Sequence, residues 1–312
     1  MALQTYEKRS IQTKRLNVSY LVSGKPGNEP LILIHGNVSS NLFLEDTVKL
    51  VENYHVFAPD LRGYGETEAL PIDATHGLRD WADDLKSFVD ALNIDQPMHL
   101  LGWSMGGGIA IQYAIDHPKD VMSITLVNPI SPYGFGGTKD ISGTPCYPNN
   151  AGSGGGTVNQ QFVESIRTQN RSTEDANSPR QVLNQFYFKP PFRVTEDKEE
   201  AFVDSMLSTR VGEGFYPGSF ETCNEWPGVI PGTDGVNNAL SPKYMNLSSF
   251  VQIAPKPPVL WLRGSDDLIV SDTSFFDFAY LGKLGHVPGW PGDDDFPPQP
   301  MVSQMRHFLE AR

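Results

Sequence analysis

The feature that most restricts what this chain can fold into is Gly102-Trp103-Ser104-Met105-Gly106, set between an apolar run ending at Leu101 and the stretch Ile109-Ala110-Ile111-Gln112-Tyr113-Ala114-Ile115. Residues 98–101 read as a buried strand and 106–116 as a helix, with Ser104 at the turn between them. So sharp a bend leaves no room for a side chain at Gly102 or Gly106, because either would strike the adjacent strand or helix. The bend also lifts the serine hydroxyl to the carboxyl edge of a sheet. There it meets a helix N-terminus, whose free N–H groups and dipole favour developing negative charge. That is a nucleophile's position, although a helix N-cap serine among glycines would carry the same five residues.

The flanking sequence supplies the sheet. Residues 31–34 form a continuous apolar run, the mark of a strand buried on both faces, and 54–58, 121–127 and 257–264 read as further strands. Residues 6–13 and 16–22 alternate as an antiparallel hairpin at a sheet edge. Helices are predicted at 42–51, at 301–310 and at 80–92, where Trp81, Leu85, Phe88 and Leu92 share one face. Strand and helix alternate with short connections, so the class is α/β with a mostly parallel central sheet flanked by helices.

Between 130 and 242 that rhythm fails. The stretch is rich in Gly, Pro, Asn and aromatic residues, with helical pieces at 158–168 and 197–209, and reads as an inserted lid. The expected organisation is a core in two parts, 1–129 and 243–312, around an inserted cap at 130–242. Trp103 beside the serine, with Phe186, Phe215 and Trp226 of the insert, are candidate walls of an apolar pocket; the lid's own small core is the other use for such aromatics.

A net charge of -13 argues against nucleic acid, whose recognition starts from a basic patch, and disfavours an anionic membrane surface. The first residues have no apolar leader-like run, and no stretch approaches the ~20 apolar residues of a membrane span, so a cytoplasmic location is expected. Cys146 and Cys223 are too few for a disulfide framework or a cysteine zinc site; reduced thiols are expected, with one cap disulfide as the alternative. No metal or cofactor is implied, and the Asp293-Asp294-Asp295 run reads as solvated charge.

A serine hydroxyl becomes a useful nucleophile when a base takes its proton, and a neutral imidazole suits that task. Of seven histidines, His286 lies in a glycine-flanked loop after the last strand, where its ring could reach across the sheet edge. The imidazole needs a carboxylate to hold its tautomer. Asp267 follows the last strand closely, with Asp266 and Asp277 as alternatives.

Five motifs now stand in one order: His35-Gly36-Asn37, Asp60-Leu61-Arg62-Gly63-Tyr64-Gly65, Gly102-Trp103-Ser104-Met105-Gly106-Gly107, Gly264-Ser265-Asp266-Asp267-Leu268-Ile269-Val270 and Gly285-His286-Val287-Pro288. In this the chain resembles the α/β-hydrolase fold superfamily, in its serine esterase and lactonase branch. The resemblance implies Ser104 as nucleophile, Asp267 as acid and His286 as base, with the backbone N–H groups of Asn37 and Met105 as the oxyanion hole. One departure stands out. Only 18 residues separate Asp267 from His286, where the family usually fits a helix and a strand.

The expected activity is hydrolysis of a carboxylic ester or lactone of a moderately apolar small molecule through an acyl-enzyme. Alternatives are a prolyl iminopeptidase-like aminopeptidase using Glu213, Glu221 or Glu225, a carbon–carbon bond hydrolase or perhydrolase, and a small-molecule receptor on a hydrolase scaffold.

Overall fold

The computed structural model describes residues 4–311. In chain order the elements of the first part are β1 (Tyr6–Gln12), β2 (Asn17–Ser23), β3 (Glu29–Ile34), α1 (Glu45–Leu50), β4 (Tyr54–Pro59), α2 (Arg79–Ala91), β5 (Met98–Trp103), α3 (Met105–Asp116) and β6 (Val121–Val127). Residues 130–242, the expected insert, hold α4 (Gln160–Arg167), α5 (Pro179–Val182), a single π-helical turn at Leu183–Tyr187, α6 (Glu196–Leu207), β7 (Phe220–Thr222), β8 (Val229–Pro231) and α7 (Val236–Ala239). The last part holds β9 (Val259–Leu262), α8 (Phe278–Lys283) and α9 (Met301–Glu310).

Seven strands form one sheet in the order β1-β2-β4-β3-β5-β6-β9. β1 and β2 form the expected antiparallel hairpin, β2 pairs antiparallel with β4, and every pairing from β4 to β9 is parallel. After β3 the chain first adds β4 on one side, then crosses to add β5 on the other. The carboxyl ends of β3 and β5 therefore border the point where strand order reverses, which is where open α/β sheets form a crevice. His35-Gly36-Asn37 leaves β3 there, and Ser104 leaves β5.

α3 is apolar on all sides, and Met105 to Ala114 are all buried, which a helix of this kind needs. α2 turns Trp81, Leu85 and Phe88 into the main core as its spacing predicts. On the same helix Asp80 and Asp84 are also buried. Asp84 receives a bidentate Arg62 guanidinium, with Nε 2.7 Å from Oδ2 and Nη2 2.8 Å from Oδ1. That fork anchors the 60–65 loop.

The final strand differs from expectation. β9 is only four residues long and pairs with β6 alone, so Leu260 and Leu262 stay 54% and 48% exposed. The apolar run had suggested a deeper position; it is an edge strand instead. Among the described residues no helix is long and apolar enough to cross a membrane. Cys146 and Cys223 are free thiols.

Candidate active site

Ser104 sits at φ 55° and ψ -120°, a conformation non-glycine residues rarely adopt, between β5 and α3. Its neighbours dictate the bend. A Cβ on Gly102 would lie 2.5 Å from the Gly106 carbonyl carbon, and one on Gly106 would lie 2.5 Å from the His35 carbonyl oxygen. Ser104 N–H bonds Val127 O at 3.0 Å, while its carbonyl accepts from Gly107 and Ile130. The turn is thus tied to β6 as well as to its own helix.

The segment leaving β3 is held by side chains. His35 is fully buried, and its Nε2 accepts the Leu61 N–H at 2.9 Å. Nδ1 therefore carries the proton and donates to Gly36 O at 2.9 Å. Burial lowers this imidazole to about 4, so it stays neutral and acts as a brace. Ser39 Oγ donates to the same carbonyl at 2.8 Å. Two donors on Gly36 O fix the peptide plane that carries the Asn37 N–H. Among the described residues neither Asn37 N–H nor Met105 N–H, the first of α3, meets an acceptor. Both border Ser104: a Cβ on Gly36 would lie 3.1 Å from Ser104 Cβ.

Asp267 lies in the turn after β9. Its Oδ1 accepts the N–H groups of Ile269 at 2.8 Å and Val270 at 3.1 Å, and its Oδ2 accepts Asn128 Nδ2 at 2.5 Å. Asn128, at φ 43°, also bonds Leu262 O through its own N–H and receives Gly264 N–H on Oδ1 at 3.3 Å. It stitches the end of β6 to the acid turn. Sequence reasoning missed it, although an Asn-Pro pair closing a strand signals such a left-handed stop. Asp266 points outward to Lys189 of the insert at 3.0 Å.

His286 is placed by α8, which ends in a Schellman closure. Gly285, at φ 81°, donates to Gly282 O, and His286 N–H donates to Leu281 O, both at 2.9 Å. The loop is tied again where Trp226 Nε1 donates to Pro288 O at 2.9 Å. The imidazole is exposed, and among the described residues its ring has no hydrogen-bond partner. The structure thus brings Ser104, Asn37 and Met105 together, and leaves His286 unbonded to either Ser104 or Asp267.

Asp277 is buried at the start of α8, accepting Ala279 N–H at 3.1 Å and Gln299 N–H at 2.8 Å. Burial raises its carboxyl to about 6. A folded carboxyl that holds its proton more tightly than the unfolded one adds stability at low pH, and that stability is lost as pH rises from about 4 to about 6. Asp60, also raised by burial to about 6, acts in the same direction. Thermal melts of Asp277→Asn between pH 4 and 7 should therefore lose part of the wild-type decline across that window. An unchanged difference between the two proteins at pH 4 and pH 7 would refute the assignment.

The four candidate pocket residues have different packing neighbours. Trp103 packs on Phe43 at 5.3 Å and on Tyr187 at 5.8 Å between ring centroids. Phe186 meets Phe276 edge-on at 5.1 Å, Phe215 lies against Gly63, and Trp226 packs on Phe296 and Phe278. Trp226 is drawn there because a partly buried indole N–H needs an acceptor, which Pro288 supplies. Glu213 and Glu221 are exposed, and Glu225 accepts from Asn149.

Residues 29–150 match a family model described as the alpha/beta hydrolase fold. Lipase 1 of Psychrobacter immobilis is 33% identical over 124 residues, which is 40% of this chain and 39% of that protein. Monoacylglycerol lipase abhd6-B of Xenopus laevis is 33% identical over 113 residues, covering 35% of this chain and 33% of that one. The chain spans less than half the length of the curated relatives it matches. Among solved structures, the esterase RhEst1 from Rhodococcus sp. ECU1013 aligns over 86% of this chain and 82% of its own, with TM-score 0.51 and 20% identity. A hydrolase from Pseudomonas aeruginosa PA01 aligns over 83% and 80%, with TM-score 0.52 and 16% identity. At such identities these two speak for the fold. With its strand-order switch point, its serine elbow and the matched segment that contains both, the chain has the α/β-hydrolase fold.

Proposed function

We propose that the protein is a serine hydrolase that cleaves a carboxylic ester or lactone of a moderately apolar small molecule. Ser104 attacks the carbonyl carbon, His286 takes the hydroxyl proton and returns it to the leaving oxygen, and water then discharges the acyl group. Asp267 stabilises the imidazolium, and the Asn37 and Met105 N–H groups receive the oxyanion. The insert at 130–242 acts as a lid, consistent with its contacts to the 37–43 segment and to the acid turn. The observation that carries the reading is a strained serine flanked by two N–H groups that meet no acceptor among the described residues. The lipase and monoacylglycerol lipase relatives favour esters over amides.

Catalysis by this route requires the His286 ring to reach Ser104, so the 284–290 loop adjusts when substrate binds. Catalytic hydrogen bonds commonly tighten only in the complex. The test is a panel of short p-nitrophenyl esters, monoacylglycerols, acyl-homoserine lactones and proline β-naphthylamide. Multiple turnovers on esters or lactones support the reading; turnover confined to the proline amide, or a single stoichiometric acylation, overturns it.

A further inference from the structure

The segment that leaves β3 holds a second strained residue. Val38 has φ 48°, which is a steric outlier for a β-branched side chain and persists only where the surroundings impose it. Its N–H bonds the Asn37 side-chain Oδ1 at 2.9 Å, and that oxygen also accepts the Tyr64 hydroxyl at 2.7 Å. Both of these partners belong to the core. The remaining hold comes from the insert. Tyr187, at the end of the π-helical turn, directs its hydroxyl at Val38 O (3.2 Å) and Asn37 O (3.4 Å). Its ring is wedged between Trp103 and Phe43, 5.8 and 5.7 Å away. Nearby, Ser205 of α6 pairs with Ser40 at 2.7 Å. The insert therefore grips the stretch that carries the Asn37 N–H.

We propose that Tyr187 is a positioning residue for the oxyanion hole: its hydroxyl fixes the Asn37–Val38 peptide, so the Asn37 N–H faces Ser104 only while the insert is seated. Gly36 O sets the plane on one side of Asn37, and Tyr187 sets the plane on the other. Burial keeps the phenol protonated, hence a donor, throughout the working range. Loss of that clamp lets Val38 relax toward an unstrained φ, which rotates the adjoining amides. The π-turn explains how the chain delivers the ring, since such single turns recur at functional sites.

The inference rests on the proposed function, and the two are separable. Tyr187→Phe removes one oxygen and keeps the ring packing. It is expected to lower kcat for p-nitrophenyl esters about 10-fold, below the ~100-fold or more of deleting an oxyanion donor outright. KM should stay within about twofold, while affinity for a trifluoromethyl ketone analogue falls in parallel with kcat. Glycine adopts the left-handed region without steric cost, so Val38→Gly combined with Tyr187→Phe should recover much of the lost kcat. A purely structural tyrosine would show neither the parallel loss nor the recovery. Wild-type kcat in Tyr187→Phe, a loss confined to KM, or no recovery with Val38→Gly overturns the proposal. Should Tyr187→Phe fail to fold, Tyr187→Leu, which keeps an apolar side chain between Trp103 and Phe43 and places no hydroxyl at Val38 O, must show the same kcat loss. Turnover retained in Ser104→Ala would instead sink the serine mechanism, whatever Tyr187 does.

Discussion

Ser104→Ala should lower ester turnover by roughly 10⁴- to 10⁶-fold, the scale seen when the nucleophile of a serine triad is deleted. The expectation is large because one oxygen supplies the covalent step and nothing nearby can replace it. Gly102 and Gly106 flank it, and the Trp103 and Met105 side chains offer no comparable nucleophile. Alanine at φ 55° is as strained as serine, so the backbone that holds the residue does not relax on substitution. The variant should fold normally, melt within about 2 °C of wild type and keep a small residue of catalysis from the Asn37 and Met105 N–H groups. It should also stop reacting with fluorophosphonate probes. Steady-state kinetics on a p-nitrophenyl ester with a thermal melt of the same sample checks both halves. Activity above about 1% of wild type in a folded variant would reassign the nucleophile. If wild type labels stoichiometrically yet never turns over, the receptor reading gains.

Much of the site was legible where the constraint is local. The elbow could be read because a serine forced into that bend has to have glycines beside it, and the structure shows the backbone each would otherwise strike. The 80–92 helix was legible because period and burial agree at Trp81, Leu85 and Phe88. What stayed hidden depends on partners far along the chain. Nothing near Asp267 announces that Asn128, 139 residues earlier, holds its carboxylate. Nothing near Asp84 announces that Arg62 needs it buried. α8 was missed because six residues give too little period to detect, and its N-cap, Asp277, was weighed as an acid instead. The exposure of Leu260 and Leu262 has the same origin: an apolar run encodes a strand, whereas the presence of a neighbour on its far side is decided elsewhere. The pocket aromatics show how far composition can reach. It supplied the residue type; ring neighbours such as Phe43 and Phe276, and for Trp226 the acceptor Pro288 O, decided where the rings went.

The second large effect is on the fold itself. Gly106→Ala adds a single methyl, and its Cβ would stand 2.5 Å from His35 O and 2.8 Å from the Ile34 carbonyl carbon, both backbone at the end of β3. A flexible side chain could swing aside; two carbonyls in a strand buried at Leu31 to Ile34 cannot. α3 must move outward by the better part of an ångström, yet its other side is packed on α2 and on Ile130 and Met245 beside Gly108. Overpacking of this kind costs about 3 kcal/mol or more. For a chain of this size that is a fall of roughly 5 °C in melting temperature, with loss of soluble protein. Activity should fall beyond what the melt explains, because the same displacement carries Met105 N–H and Ser104 away from Asn37. Gly27→Ala is the control: at φ 97° it adds backbone strain of about 1 kcal/mol, but no atom lies within 4 Å of the new methyl. A Gly106→Ala protein that melts within about 1 °C of the Gly27→Ala protein would mean that β3 and α3 do not press on each other at the elbow. The strain at Ser104 would then have no structural support.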